Sequence, residues 1–333
     1  MSIRFGYKAS AEQFGPSELL ELGILAERKG LDSVAVSDHF QPWRHSTGHA
    51  PNSFVWLGAL SQRTERVTLA TSVLTPTMRV HPSIVAQAFA TLACLAPDRV
   101  ILGVGTGEAM NETPATAASW PGAKERRMRM AEAIQLIRLL WTEERVSFEG
   151  EYFKTDRATI YDRPEQPVPI YVAASGPLAA KLAGRVADGF ICTSGKDPAL
   201  YEELLAKVRE GAEAAGRDAE AMERMIEIKL CYDRDPEVAR TNTHWWAALA
   251  LTPDEKSGVD DPIEMERLAD EHLERAATRF IVTDDPHEAV ERIRPYVDLG
   301  FDHLVFHGPG GDQRRFLEQF SADVLPLLRQ EWS

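Results

Sequence analysis

Short runs of consecutive apolar residues recur along the chain, and amphipathic stretches separate them. The apolar runs lie at residues 3–7, 33–37, 67–73, 100–104, 170–174, 189–193, 226–230 and 303–307. Because apolar residues follow one another instead of alternating with polar ones, each run is typical of a β-strand buried on both faces. The stretches 16–30, 82–95, 124–141 and 286–300 have the spacing of amphipathic helices.

Eight such units in 333 residues predict an α/β fold, a (β/α)8 barrel of the TIM type. A doubly wound parallel sheet is the alternative. No linker divides the chain, so we expect a single domain over 1–333. The length beyond a minimal barrel predicts insertions near 39–52, 106–122, 143–168 and 231–277.

Polar and titratable residues follow the predicted strands at their carboxyl ends. Asp38 and His39 follow the second strand, Glu108 follows the fourth and Lys196 follows the sixth. These ends converge on one mouth of a barrel, which is where barrel enzymes hold their active sites. His39 is a candidate proton acceptor, with Asp38 or another carboxylate to orient it. A carboxyl such as Glu108 in a partly apolar pocket is a candidate general acid.

Simpler interpretations of these residues remain open. Asp38 could cap a helix, His39 could be structural and Glu108 could be a surface residue. The glycines around Glu108 do not match the dinucleotide fingerprint G-x-G-x-x-G, because its third glycine is replaced by Glu108 or by Met110. A metal site is not predicted, since His39, His45 and His49 lie on a loop without cysteines and with few carboxylates.

The charge and the cysteines narrow the function classes. With 51 acidic and 37 basic residues the net charge is −14, which disfavours nucleic acid and anionic membranes as partners. Cys94, Cys192 and Cys231 are too far apart in sequence to suggest a disulfide framework or a zinc site. No stretch of 18 apolar residues and no signal-peptide pattern occurs, which favours a cytoplasmic protein. An anionic ligand would need Lys196, Lys256 and Arg279 to converge.

Six segments together carry a specific resemblance. They are GYKASAEQF (6–14), SDHFQPWRH (37–45), TSVLTPT (71–77), GVGTGEAMNE (103–112), DGFICTSGK (188–196) and LVFHGPGGDQRRFLE (304–318). They closely resemble the F420-dependent glucose-6-phosphate dehydrogenases of the luciferase-like flavin and deazaflavin superfamily, and the similarity spans nearly the whole chain. The resemblance implies a dimeric (β/α)8 barrel that binds coenzyme F420, an 8-hydroxy-5-deazaflavin. It implies oxidation of glucose 6-phosphate at C1 to the lactone, with hydride transfer to C5 of F420.

The resemblance also implies a role for each matching residue. His39, Glu108 and Trp43 would be catalytic, as the base or hydrogen-bond partner of the C1 hydroxyl, the proton donor to the reduced ring and the residue that shields the reacting pair. The cofactor would be held by Asp38, Ser72, Val73, Thr75, Thr106, Gly107, Asn111, Ala174, Ser175 and Gly176, with a cis peptide at Ser72–Val73. The sugar phosphate would be held by Glu12, Thr193, Lys196, Lys256 and Arg279.

Two alternatives stay open at this stage. One is an F420-dependent dehydrogenase that prefers mannose or fructose 6-phosphate, since such an enzyme would keep the same phosphate cations. The other is an F420- or FMN-dependent oxidoreductase that acts on another alcohol, although an uncharged substrate would not need those cations.

Overall fold

A closed barrel of eight parallel strands forms the centre of the computed structural model, which describes residues 3–252, 254–256 and 258–332. The barrel strands are β1 (Arg4–Ala9), β2 (Ser33–Val36), β3 (Thr68–Thr71), β4 (Val100–Val104), β7 (Ile170–Ala173), β8 (Gly189–Thr193), β9 (Glu223–Tyr232) and β11 (His303–His307). They pair in this order, and β11 pairs with β1 to close the ring. The predicted barrel is therefore confirmed, and each apolar run coincides with a barrel strand.

Helices surround the barrel. They are α1 (Pro16–Arg28), α2 (Ser53–Ser61), α3 (Pro82–Leu95), α4 (Ala109–Thr116), α5 (Ala123–Thr142), α6 (Pro177–Val186), α7 (Pro198–Ala214), α8 (Pro236–Thr241), α9 (Pro262–Asp270), α10 (Pro286–Asp298), α11 (Gln313–Gln319) and α12 (Leu325–Trp332). Several begin with proline, whose fixed φ suits the first helical turn. Gly30 and Gly300 follow α1 and α10 with positive φ values of 86° and 95°, which stop these helices at the predicted ends.

The core has two layers. The larger layer lies between the strands and the helices, and includes Phe5, Tyr7 and Leu102. The smaller one fills the barrel with one inward side chain from seven strands, and comprises Ala35, Ala70, Ile101, Tyr171, Ile191, Met225 and Val305. Because side chains alternate along a strand, the next inward positions toward the carboxyl ends lie directly above this apolar layer. Those positions hold the polar residues of the barrel mouth.

The segments where insertions were predicted differ in structure. Residues 39–52 form a loop, and 106–122 contain α4. An antiparallel hairpin occupies much of 143–168, with strands β5 (Val146–Glu149) and β6 (Lys154–Ala158). The described part of 231–277 contains α8, the 3₁₀ helix His244–Ala250 and α9, and a second 3₁₀ helix, Leu273–Arg279, begins there. The three-residue strand β10 (Ile281–Thr283) follows and pairs with the end of β9.

Candidate active site

A cavity of about 610 Å³ opens at the carboxyl ends of the barrel strands. Every barrel strand, or the loop that follows it, contributes to its wall. The predicted site residues that line it are Glu12, Asp38, His39, Trp43, Ser72, Val73, Thr75, Thr106, Gly107, Glu108, Asn111, Ala174, Ser175, Thr193, Lys196, Lys256 and Arg279. Gly176 does not line the cavity, because it lies one residue further on, at the N-cap of α6.

His39 is held between a carboxylate and an amide. Its Nε2 lies 3.2 Å from Oε1 of Glu12, and its Nδ1 lies 3.3 Å from Nδ2 of Asn111. Asn111 Oδ1 accepts hydrogen bonds from the backbone N–H groups of Phe40 and Gln41, at 2.8 and 3.1 Å. The Asn111 amide nitrogen must therefore face the imidazole, which makes Nδ1 the acceptor and turns the Nε2–H toward Glu12.

Glu12 is a buried carboxylate that stays ionised. Burial opposes its charge, but His39, Lys8 and a hydrogen bond from the Ser37 hydroxyl together hold its pKa below the ordinary value. The carboxylate therefore fixes the orientation of the His39 ring.

Asp38 also lines the cavity, but both of its oxygens have protein partners. Oδ1 accepts from the Ser53 hydroxyl at 2.7 Å, and Oδ2 accepts from Arg79 at 2.6 Å. The backbone N–H of Arg79 donates to Oε2 of Glu112 at 2.8 Å. Burial raises the pKa of Glu112, and the Arg79 contacts reduce that rise. Arg79 thus joins two buried carboxyl groups of the cavity wall, and neither Arg79 nor Glu112 was predicted.

Glu108 differs from its predicted environment. Its side chain is exposed at the mouth instead of lying in a partly apolar pocket. Oε2 of Glu108 lies 3.4 Å from Asn111 Nδ2, so Asn111 connects it to His39. Glu108 precedes α4 without capping it through its side chain, which leaves the carboxylate free to face a ligand.

One wall of the cavity consists mainly of backbone and small side chains. The peptide bond between Ser72 and Val73 is cis, as the resemblance implied, and Lys8 Nζ donates to the Ser72 carbonyl. A Cβ atom on Gly105 would lie 2.7 Å from Val73 Cγ2, so a side chain there would clash with this wall. Gly107 has a φ of +78°, which suits glycine. The wall fits a flat, polycyclic ring such as that of F420.

Three cations that are distant in sequence meet on another side of the cavity. Lys196, Lys256 and Arg279 all line it, and each lysine lies in the field of Arg279. Burial lowers the pKa of Lys256 to about 8, with Glu108 opposing this and Arg279 adding to it. Lys256 Nζ lies 5.1 Å from the centre of the Trp43 ring. The buried Nε of Arg279 has no hydrogen-bond partner among the described residues.

The barrel contributes a charged floor that the sequence analysis missed. Lys8, Glu227, Lys229 and His307 line the cavity from β1, β9 and β11. Glu227 lies 3.4 Å from Lys8, 3.6 Å from Lys229 and 3.3 Å from His307. A signal was present, because Glu227 and Lys229 alternate with Ile226, Ile228 and Leu230, so the run 226–230 is not continuously apolar as it was interpreted above.

The fold and the cavity define the class of protein, a (β/α)8 barrel with a polar site at the carboxyl ends of its strands. The sequence profile of the luciferase-like monooxygenases matches residues 1–303, and the chain belongs to that family. It is 61% identical over 329 residues to the F420-dependent glucose-6-phosphate dehydrogenase of Nakamurella multipartita. The aligned region covers 98% of this chain and 97% of that protein. It is 59% identical over 332 residues to F420-dependent glucose-6-phosphate dehydrogenase 1 of Rhodococcus jostii, with 99% of both chains covered. The resemblance that the motifs indicated is thus confirmed.

Solved structures agree with this assignment. An F420-dependent secondary alcohol dehydrogenase in complex with an F420–acetone adduct superimposes with a TM-score of 0.92 at 35% identity, over 98% of this chain and 99% of the other. The coenzyme F420-dependent tetrahydromethanopterin reductase from Methanopyrus kandleri has a TM-score of 0.82 at 22% identity, over 98% and 99%, and supports the fold alone.

Within the described residues, 3–252, 254–256 and 258–332, no group of three or more histidine, cysteine, aspartate or glutamate residues is arranged to hold a metal ion. No helix in that part of the chain has the length and apolar character needed to cross a membrane.

Proposed function

We propose that this protein oxidises the C1 hydroxyl of a hexose 6-phosphate, glucose 6-phosphate first, to the lactone with coenzyme F420 as the hydride acceptor. One observation carries the proposal: a single cavity joins a histidine–carboxylate pair, a wall of backbone and small side chains, and a cluster of three cations. Oxidation of a sugar phosphate needs a proton acceptor, a place for the cofactor ring and a site for the phosphate. The full-length relatives named above support the same reaction.

When F420 is bound, it supplies a ring carbon that accepts the hydride. The residues that would hold the cofactor surround the wall described above: Asp38, Ser72, Val73, Thr75, Thr106, Gly107, Asn111, Ala174 and Ser175. Glycines at 105 and 107 keep the backbone accessible there. We retain Gly176 only as a backbone neighbour of Ser175, because it does not line the cavity.

His39 is the group that accepts the C1 hydroxyl proton. Its Nδ1 carries the lone pair, since the Nε2–H faces Glu12 at 3.2 Å, and the C1 hydroxyl would replace the 3.3 Å hydrogen bond that Asn111 donates to Nδ1. As the imidazolium forms, the ionised Glu12 stabilises the new positive charge. Trp43 lies 6.2 Å from His39 between ring centres and would shield the reacting carbon from water.

The phosphate would lie among the three cations of the cavity. Thr193, Lys196, Lys256 and Arg279 would hold it, and a dianion there would relieve the repulsion between the three cations. The anion site explains how a chain of net charge −14 can bind an anionic substrate. It also distinguishes the proposed reaction from oxidation of an uncharged alcohol.

The test of the proposed function is an absorbance assay. Oxidised F420 should bleach when the purified protein is mixed with glucose 6-phosphate, and mannose 6-phosphate, fructose 6-phosphate and free glucose complete the panel. Bleaching with another hexose phosphate alone would move the assignment to that sugar. No bleaching with any hexose phosphate would overturn the proposal, and bleaching with 2-propanol alone would favour an alcohol dehydrogenase.

Glu108→Gln should slow turnover more than it weakens cofactor binding. In our proposal the Glu108 carboxyl would donate a proton toward the cofactor ring, and loss of such a group lowers kcat by about 100-fold. The kcat is measured with glucose 6-phosphate, and the Kd of F420 by fluorescence quenching. The exposed Glu143, which does not line the cavity, gives the control variant Glu143→Gln. A Glu108→Gln enzyme with unchanged kcat would remove Glu108 from the mechanism.

The resemblance also leads us to propose a cytoplasmic homodimer. Val55 on α2 and Ile84 on α3 are large apolar side chains that are more than half exposed in the single chain. An interface on these helices would cover them. Light scattering during size-exclusion chromatography measures the mass, and a monomer at micromolar concentration would contradict the dimer.

A further inference from the structure

Lys229 on β9 is a buried ammonium group that the proposed reaction has not yet used. Its side chain is 4% exposed and lines the cavity, two inward positions beyond Met225 of the apolar layer on the same strand. No hydrogen bond to its Nζ is found among the described residues, and the nearest carboxylate oxygen, Oε1 of Glu227, lies 3.6 Å away. A buried lysine without a close partner is costly, because burial disfavours its charge.

Glu227 cannot neutralise Lys229 alone, because it already has other partners. Its Oε2 lies 3.4 Å from Lys8, and its Oε1 lies 3.3 Å from Nδ1 of His307. Burial holds His307 neutral by lowering its pKa, so Nδ1–H donates to the carboxylate. Two lysines therefore share one carboxylate, which leaves one positive charge in excess at the floor.

The groups that face Lys229 come from every element around it. They are Lys8 on β1, Cys192 on β8, Lys196 after β8, Glu227 on β9, Arg279 at the end of a 3₁₀ helix and His307 on β11. The cations outnumber the carboxylate, and Cys192 is a neutral thiol because burial raises its pKa to about 12. The positive charges around Lys229 therefore exceed the negative charge of Glu227.

We propose that Lys229 is a fourth cation for the substrate phosphate, which it contacts from the floor of the cavity between Glu227 and the Lys196–Arg279 pair, and that it takes up a proton when the phosphate binds. The inference rests on the proposed function, since it places the phosphate of the hexose phosphate at these cations. Lys8 does not share this role, because its Nζ is already bound to the Ser72 carbonyl.

The proton uptake has a definite pH range. Burial and the neighbouring cations lower the pKa of Lys229 to about 8, and Glu227 opposes this. Above that pH the lysine is neutral in the free protein, and a bound dianion raises its pKa so that it becomes protonated again. Phosphate affinity should therefore fall as the pH rises above 8, with proton uptake on binding. Lys256, whose pKa is also about 8, should contribute separately to this fall in phosphate affinity with pH.

The experiment combines kinetics and calorimetry on the full chain. Lys229→Met should raise the KM for glucose 6-phosphate by about 10- to 100-fold, as expected for a lost charged hydrogen bond. The kcat/KM for free glucose should change much less. Titration of the protein with inorganic phosphate at pH 8.5, in buffers of different ionisation enthalpy, should show proton uptake that falls in Lys229→Met. Lys124→Met, an exposed lysine on α5, is the control.

The Glu227→Gln variant tests whether Lys229 acts on the phosphate through its charge or only through its packing. Without the carboxylate the pKa of Lys229 falls further, so the loss of phosphate affinity should begin at a lower pH than in the wild type. An unchanged KM and unchanged proton uptake in Lys229→Met would overturn the inference, and so would equal losses with glucose and glucose 6-phosphate. Failure of the wild type to bleach F420 would instead overturn the proposed function, because the calorimetric titration with phosphate does not depend on turnover.

Discussion

His39→Ala should lower kcat with glucose 6-phosphate by about 100- to 10,000-fold at neutral pH, the range for loss of a general base. The His39 imidazole combines a lone pair on Nδ1 with an ionised carboxylate partner, Glu12 at 3.2 Å, on the loop that also holds Trp43. The Kd of F420 should change little, because the wall assigned to the ring lies on β3 and β4 and the loops that follow them. Stopped-flow absorbance of F420 measures the hydride-transfer step, and fluorescence titration measures cofactor binding.

A second histidine on the same loop provides the control for this prediction. His45 is exposed and its backbone N–H donates to Glu266, so His45→Ala should leave kcat unchanged. Glu12→Gln should cause a smaller loss than His39→Ala, because it removes the charge next to the imidazole but keeps a hydrogen-bond acceptor. If His39→Ala retains wild-type kcat, another group takes the C1 proton, and Glu108 becomes the candidate.

The barrel was predictable because its strands are buried on both faces. A strand such as Val100–Val104 has no solvent-facing side, so its apolar run is uninterrupted and its position follows from the sequence. The hairpin of β5 and β6 lacked this signal, since its residues are mostly exposed or half-buried. The strand Ile281–Thr283 has only three residues, which is too short for a periodic pattern.

The site was predictable where its residues follow the strands in local motifs. His39, Glu108 and Lys196 each stand just beyond a strand end, in segments that resemble a known family. The floor was not predictable in the same way, because Lys8, Glu227 and His307 lie inside strands, where polar residues interrupt an otherwise apolar pattern. Whether these residues meet in one site depends on which strands pair. β1 and β9 both pair with β11, a strand that lies far along the chain.

Glu108 shows a different limit of prediction from sequence, because its place in the fold was predicted but its burial was not. Its position beside the mouth was correct, but its burial depended on how α4 packs, which the sequence does not reveal. The exposed side chain is Glu108, and the buried carboxyl with a raised pKa is Glu112 one helical turn later. Both residues belong to one motif, so a motif can locate a site without deciding which carboxyl is desolvated.

Arg279→Gln should raise the KM for glucose 6-phosphate by about 10- to 100-fold, with a smaller effect on kcat. The guanidinium lies in the field of both Lys196 and Lys256, and its buried Nε has no partner among the described residues. Gly195 allows this approach, because a Cβ there would lie 2.6 Å from the Arg279 carbonyl oxygen. The backbone therefore fixes Lys196 and Arg279 next to each other before the substrate arrives.

Free glucose, which lacks the phosphate, distinguishes a loss of anion binding from a general structural defect in the Arg279→Gln variant. Because free glucose cannot use Arg279, kcat/KM for glucose should stay close to wild type, while kcat/KM for glucose 6-phosphate falls. Arg267→Gln is the matched control, since Arg267 is exposed on α9 and pairs with Glu264 and Glu271. An unchanged KM for glucose 6-phosphate would place the phosphate elsewhere. Equal losses with both sugars would assign Arg279 to folding, because only an anion contact makes the effect depend on the phosphate.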